Sequence, residues 1–311
     1  MSSIIFPLLG CNICSSIDTI GSKQKIKNMK KFTLILTLTF IILNGYAQEN
    51  NLLWKVSGNG LESPSYLFGT MHILCDQSIV EKPSFQEALS QSKLLVMELN
   101  PSNPAVLQEM QQLSVNPGFE NIYTDLPEED FKLLDTHLSS KFGAGLAQMG
   151  VLKPFTLTSM VTMGFLDCEV PFSLETHLAG IASAKEMPVI DLETAAFQVG
   201  IFDNIPVDFQ IQEIIRSLKD DTGKKELDQM MEIYGSGDLE RLYGFMKTSD
   251  LMNKYQAEIL DNRNRAWIPT LEELFKKSTS FVAVGAGHLP GELGVISLLK
   301  QKGYTVEAIA L

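Results

Sequence analysis

The sequence predicts an α/β fold: a central mixed sheet built from two related strand–Gly-x-x-His–helix–strand halves, with a large helical insertion between them. Three observations carry that reading. Gly69-Thr70-Met71-His72 follows the apolar run Tyr66-Leu67-Phe68, and Gly285-Ala286-Gly287-His288 follows Phe281-Val282-Ala283-Val284. After each motif a segment with helical apolar spacing leads to another strand-like run, Lys93–Leu99 in the first half and Tyr304–Ile309 in the second. The stretch between the halves is mostly of helical periodicity, punctuated by Pro154, Pro171, Pro206 and several glycines.

Taken in order, Leu52–Val56 reads as a short strand, followed by turn chemistry in Ser57-Gly58-Asn59-Gly60 and Ser63-Pro64-Ser65. Tyr66–Phe68 is the next strand, broken by Gly69. Pro83–Ser92 suits a helix, with Pro83 at its start and Phe85, Ala88 and Leu89 on one face. Lys93–Leu99 is apolar enough to be a strand covered on both faces. The insertion, about residues 103–279, offers helices over Glu128–Lys141, Phe155–Phe165, Leu174–Lys185, Val207–Leu218, Lys224–Tyr234, Leu239–Lys247 and Leu251–Lys276, with one short strand at Pro188–Leu192. Ser280–Val284, a helix over Glu292–Lys302 capped by Gly303, and Tyr304–Ile309 complete the second half.

The N-terminus reads as a leader, residues 1–47. Met29-Lys30-Lys31, the apolar run Phe32–Leu43 and Asn44-Gly45-Tyr46-Ala47 form a secretory signal over 29–47, and residues 1–28 read as an extension upstream of that start. The apolar run is shorter than the roughly 20 residues of a comfortable membrane span. Residues 48–311 then form a single exported domain, periplasmic or extracellular, with no stable membrane anchor after cleavage. Removing the leader leaves 20 Lys and Arg against 36 Asp and Glu. So acidic a chain is a poor partner for nucleic acid or an anionic membrane face. Oligomeric state is not legible. Two cysteines remain, Cys75 and Cys168, either as one disulfide or as two buried thiols.

Four side chains are candidates for chemistry. His72 and His288 stand at matching strand ends, where a preceding glycine allows a sharp turn and close approach of a ligand. Neutral imidazole is a common metal ligand and the usual general base near neutral pH. Glu98 ends an apolar run, where a carboxylate has to be paired, hydrogen-bonded or bound to a metal. Arg263, in Asp261-Asn262-Arg263-Asn264-Arg265, would hold a substrate carboxylate or a developing oxyanion; Arg265 faces another side of the same helix. Glu193 is either a site group at a strand end or, with Thr194, part of ordinary helix-start capping. His137 and His177 are expected on exposed helix faces.

Tyr-Leu-Phe-Gly-Thr-Met-His at 66–72, Val-Met-Glu-Leu at 96–99, Asp-Leu-Glu-Thr at 191–194, Arg-Asn at 263–264 and Val-Gly-Ala-Gly-His at 284–288 together resemble the TraB/GumN family, which includes the Tiki proteases that cleave Wnt ligands. The resemblance runs from about Leu52 to the C-terminus. It implies a fold similar to erythromycin esterases and ChaN-like proteins. For Tiki-like members it also implies metal-dependent peptide hydrolysis, carried over by position to His72, Glu98 and His288 holding the ion and Arg263 as supporting cation. Such imidazole and carboxylate ligands suit zinc, manganese or cobalt. No His-Glu-x-x-His helix is present, so a peptidase here is not a zincin. Two other readings use the same residues: a metal-independent, esterase-like hydrolase with a histidine base, and a non-catalytic metal- or porphyrin-binding protein. The substrate, peptide or small molecule, is open.

Overall fold

Residues 51–311 are described by the computed structural model; the leader, with the secretory signal expected over 29–47, lies outside the described residues. The sheet has six strands: β1 (Leu53–Gly58), β2 (Ser65–Thr70), β3 (Leu94–Met97), β4 (Val189–Asp191), β5 (Ser280–Gly285) and β6 (Tyr304–Ile309). Their order is β4-β3-β5-β2-β1-β6. β2, β5, β3 and β4 run parallel, while β1 is antiparallel to both β2 and β6, so the sheet is mixed as expected. Every residue of β2 and β3 is buried. That is why these strands read as unbroken apolar runs rather than alternating ones.

The register positions the chemistry. β2 and β5 are neighbours, with Gly69 opposite Val284 and Thr70 opposite Gly285. The two Gly-x-x-His segments, more than two hundred residues apart in the chain, therefore leave the sheet side by side. β3 pairs with the other side of β5 and delivers Glu98 to the same end. This is the carboxyl end of the parallel strands, where open α/β sheets place their ligands. Gly69 is required there by close approach: a Cβ on it would lie 3.0 Å from Ala286 Cα and 3.1 Å from Leu289 Cδ1. The Tyr234 hydroxyl donates to the Gly69 carbonyl at 2.9 Å and ties the insertion to this strand end.

Most of the insertion folds as its periodicity predicts, with helices including Glu128–Phe142, Pro154–Gly164, Leu174–Ala184, Val207–Leu218, Thr222–Gly235 and Leu239–Met246. It carries its own apolar cluster, centred on Tyr123, Leu134, Leu138, Leu146, Leu157 and Ile214, besides the larger core around the sheet. Three sequence expectations are corrected. The single helix expected over Leu251–Lys276 is three segments: Asp250–Gln256, a π-helical turn at Ala257–Asp261, and Asn262–Lys277. Two further helices, Pro104–Leu113 and Ala195–Asp203, lie outside those expected from the sequence. The second is apolar nearly all round and lacks the one-sided stripe that marks a helix, whereas the first does carry one, Val106, Leu107, Met110 and Leu113 behind Asn103-Pro104, which the sequence reading passed over. His137 and His177 are half-buried rather than exposed. The His137 Nε2 lies 3.3 Å from the Val161 carbonyl, and the His177 ring packs 5.2 Å from that of Phe172.

Of the two cysteine readings, the structure has the bridge, Cys75–Cys168, with Cα atoms 5.7 Å apart. Beside it Leu74 and Phe172 exchange backbone hydrogen bonds of 2.9 and 2.7 Å. Bridge and backbone pair together fasten the segment after His72 to the loop that leads into the helix bearing Glu175. The bridge spans 93 residues of chain. Reduction, or paired Cys75→Ser and Cys168→Ser substitution, is expected to lower unfolding free energy by about 2–4 kcal/mol. Denaturant titration with and without reductant measures it, and coincident curves would show that the bridge constrains nothing.

Candidate active site

At the carboxyl end of β2, β3 and β5 lies a cleft of about 610 Å³, lined by His72, Glu98, Arg263 and His288 among others. All four side chains singled out in the sequence are therefore in one place. Glu98, one residue past β3, is only 12% exposed in its side chain. Its Oε1 accepts from the Gly285 amide at 2.7 Å, and its Oε2 accepts from Arg263 Nη2 at 2.5 Å. Burial alone would raise this carboxyl, but His288, Arg263, His72 and the Gly285 amide outweigh burial and hold it at about 2. Glu98 is ionised at any ordinary pH.

His288 is buried, with Nε2 3.8 Å from Glu98 Oε1. Its Nδ1 lies 2.6 Å from Asn264 Oδ1, while Asn264 Nδ2 donates to the Leu293 carbonyl at 2.9 Å. The second bond fixes the carboxamide: its nitrogen is committed to a carbonyl, so its oxygen must accept from His288 Nδ1–H. The His288 Nε2 is then a bare lone pair directed at Glu98. Burial foremost, with Arg263 and His72 adding to it against the pull of Glu98, pushes His288 down to about 4.

His72 is the opposite case. Its side chain is 74% exposed, and its Nδ1 pairs with Glu175 Oε1 at 3.0 Å. That hydrogen bond chiefly raises His72, to about 9. Glu175 is lowered: burial would raise it, but His72 overrides burial. Both Gly-x-x-His imidazoles are thus anchored through Nδ1 to a helix side chain. One anchor is a neutral amide and the other an anion; burial lowers His288, while the bond to the Glu175 anion raises His72, and this sets their proton affinities apart.

Arg263 points into the cleft, whereas Arg265 is exposed, as their spacing requires. Arg263 donates from Nε and Nη2 to Glu193 at 2.8 Å each, and from Nη1 to the Ile259 carbonyl at 2.8 Å. The Ile259 carbonyl belongs to the π-helical turn, an irregularity common at functional sites. Glu193 is no capping residue: its side chain is 4% exposed and also accepts from Trp267 Nε1 at 3.0 Å and Gln198 Nε2 at 3.0 Å. The cap is Thr194, whose Oγ1 accepts from the Phe197 amide. Sequence reasoning missed Glu175, Asn264 and Gln198 as parts of the site. Asn264 adjoins a named candidate and stands in the Arg-Asn pair at 263–264 that carries part of the family resemblance; Glu175 sits in the first turn of a helix and reads as ordinary dipole chemistry.

The donor set suits a divalent ion in its chemistry: a bare imidazole nitrogen facing an ionised carboxylate, each with an outer partner that fixes it. Among the described residues, no three His, Cys, Asp or Glu side chains are gathered closely enough to hold one. His288 and Glu98 face each other, and His72 lines the same cleft without closing on them.

A family model described as TraB/PrgY/gumN matches residues 52–308. The chain belongs to the TraB/PrgY/gumN family. Relatives of this family member include Metalloprotease TIKI2 of Danio rerio, 22% identical over 83% of this chain and 61% of the relative. Metalloprotease TIKI1 of Xenopus tropicalis is 21% identical over 84% and 62%, and a Metalloprotease TIKI homolog of Amphimedon queenslandica 25% over 85% and 62%. The chain spans about three fifths of the length of these curated relatives. No solved structure matches. Among the described residues, no helix is long and apolar enough to cross a membrane.

Proposed function

We propose that this TraB/PrgY/gumN family member is an exported, metal-dependent hydrolase that cleaves peptide bonds. The observation that carries the reading is the bare Nε2 of His288 opposed to the ionised Glu98 on the cleft floor. The metalloprotease names of its relatives support the same class. Glu98 and His288, which face each other, would hold the ion, zinc, manganese or cobalt, and His72, paired with Glu175 in this structure, would have to turn from it to join them. A bound divalent ion supplies an acidified water and a polarised carbonyl. Glu98 stays ionised because Arg263 and the Gly285 amide compensate it. Asn264 holds His288 in the tautomer that leaves Nε2 free.

The opposed proton affinities of His288 and His72 favour one further reading, hydrolysis without metal. Groups whose environments push their affinities apart are suited to the base and acid roles. His288 would take a proton from water and His72 would give one to the leaving group, while Arg263, engaged by Glu98, Glu193 and the Ile259 carbonyl, would hold the cleft floor in place.

Elemental analysis of protein purified without affinity-tag metals tests the proposal, together with turnover of a quenched peptide library before and after chelation. The expected result is near-stoichiometric metal, lost in His72→Ala and His288→Ala, and turnover lost on chelation. Turnover that survives chelation supports the metal-free reading. Its kcat/KM profile would then be bell-shaped, falling as His288 protonates near 4 and as His72 deprotonates near 9. No metal and no turnover would overturn both. Asn264→Leu is expected to lose tenfold to a hundredfold in metal affinity or kcat. An unaffected variant would remove Asn264 from the account.

A further inference from the structure

The walls of the cleft contrast with its floor. Leu107 and Met110 come from helix Pro104–Leu113, Phe202 from Ala195–Asp203, Met230 from Thr222–Gly235, and Leu242 and Met246 from Leu239–Met246. Helix Pro104–Leu113 buries nothing in the core. Its apolar side chains face the cleft instead, and Leu107 is left 46% exposed there. Helix and exposure together indicate a surface that is completed by something entering the cleft.

Charge says what cannot enter. The charged or titratable groups of Asp, Glu, His, Lys and Arg type lining the cleft are His72, Glu98, Glu175, Arg263 and His288. Glu175 is taken by His72, and Arg263 by Glu98 and Glu193. Glu98 is taken by Arg263 and the Gly285 amide, and the buried His288 by Asn264. No unpaired cation remains for an acidic side chain, and no unpaired carboxylate for a basic one. A charged side chain brought into this cleft would lose its hydration without gaining a partner. An apolar one would exchange water for Leu, Met and Phe surface. Methionine walls adapt to the shape they meet, which favours a class of side chains over a single one.

We propose that the cleft walls form a subsite for a bulky, uncharged apolar side chain of the substrate peptide, of the Leu, Met or Phe class, seated beside the scissile bond. The proposal rests on the hydrolase reading for the words "scissile bond"; the apolar subsite itself does not.

Two measurements separate these parts. The first uses internally quenched peptides that differ only at the residue next to the cleaved bond. Leu, Met or Phe there is expected to give kcat/KM at least roughly tenfold above Gly, Asp or Lys. Leu107→Asp, at a half-exposed position that leaves the core untouched, is expected to erase that preference through KM. Equal rates across the set, or preference for a charged residue, would overturn the proposal. The second is calorimetric binding of N-acetyl-Leu-Met-Phe-amide to the wild-type chain. Saturable binding, weakened about tenfold or more by Leu107→Asp, supports the subsite, and no binding overturns it. Binding in the absence of any peptide turnover would count against the hydrolase reading while supporting the apolar subsite.

Discussion

Arg263→Met is expected to lower unfolding free energy by about 3–5 kcal/mol. The guanidinium side chain is 9% exposed and lies between two carboxylates, Glu98 at 12% and Glu193 at 4%. It gives both a charge and a fork of donors, and it packs 5.2 Å from the Trp267 ring centroid. Methionine keeps much of the stem packing but leaves two buried anions facing each other. Removing one partner of a buried ion pair is far more damaging than replacing the whole set, because the remaining charge has no solvent. Adding Glu193→Gln to Arg263→Met should therefore recover part of the loss, a coupling that a double-mutant cycle reads directly.

The acid side of the stability profile should move as well. Folded Glu98 is held near 2, below its unfolded value, so its contribution is present above the unfolded value and lost as pH falls through about 2. Without Arg263 its folded affinity for protons rises, and the loss on acidification begins at higher pH. Denaturation midpoints measured from pH 7 to 3 give both quantities. A change under about 1 kcal/mol at neutral pH would mean the pair is solvated and the account of the cleft floor is wrong.

The second large effect is on turnover. Glu98→Gln should reduce kcat by about 10² to 10⁴ while leaving the cleft's shape nearly intact. The substituted carboxamide oxygen still has the Gly285 amide to accept from, but its nitrogen then faces Arg263 Nη2, so the change removes the charge opposite His288 Nε2 together with the hydrogen bond from Arg263. An interaction used in the reaction rather than in ground-state binding lowers kcat and kcat/KM together. A rise in KM at constant kcat would assign Glu98 to substrate binding instead. The melting temperature serves as control, since Glu98 also neutralises Arg263.

The centre of the sheet was legible because β2, β3 and β5 are buried on both faces and so appear as short apolar runs, two of them broken by glycine. The site's inner members were legible for a related reason. A histidine three residues after a strand-ending glycine, or a carboxylate closing an apolar run, is out of place unless chemistry or pairing explains it. The outer members were not legible. Glu175, Asn264 and Gln198 are polar residues on helices, unremarkable in one dimension, and acquire partners only when the insertion folds over the sheet. Glu193 was ambiguous for the same reason, because a strand-end glutamate before a threonine is equally good capping chemistry. The π-helical turn escaped since one extra residue in a long helical pattern shifts its phase without breaking it. Helix Pro104–Leu113 was readable from Val106, Leu107, Met110 and Leu113 at helical spacing after Asn103-Pro104; what one dimension does not show is that this stripe lines a cleft.

The account depends on two imidazoles from distant motifs occupying one cleft in opposite proton states around an ionised carboxylate. Nitrogen-15 NMR of the side chains tests this most directly, since the whole sequence has only four histidines and single substitutions assign them. In chelated protein, His288 should remain neutral, protonated at Nδ1 only, down to about pH 4, while His72 keeps its proton up to about 9. Both rings titrating together near the ordinary 6.5, with no preferred tautomer at His288, would contradict it.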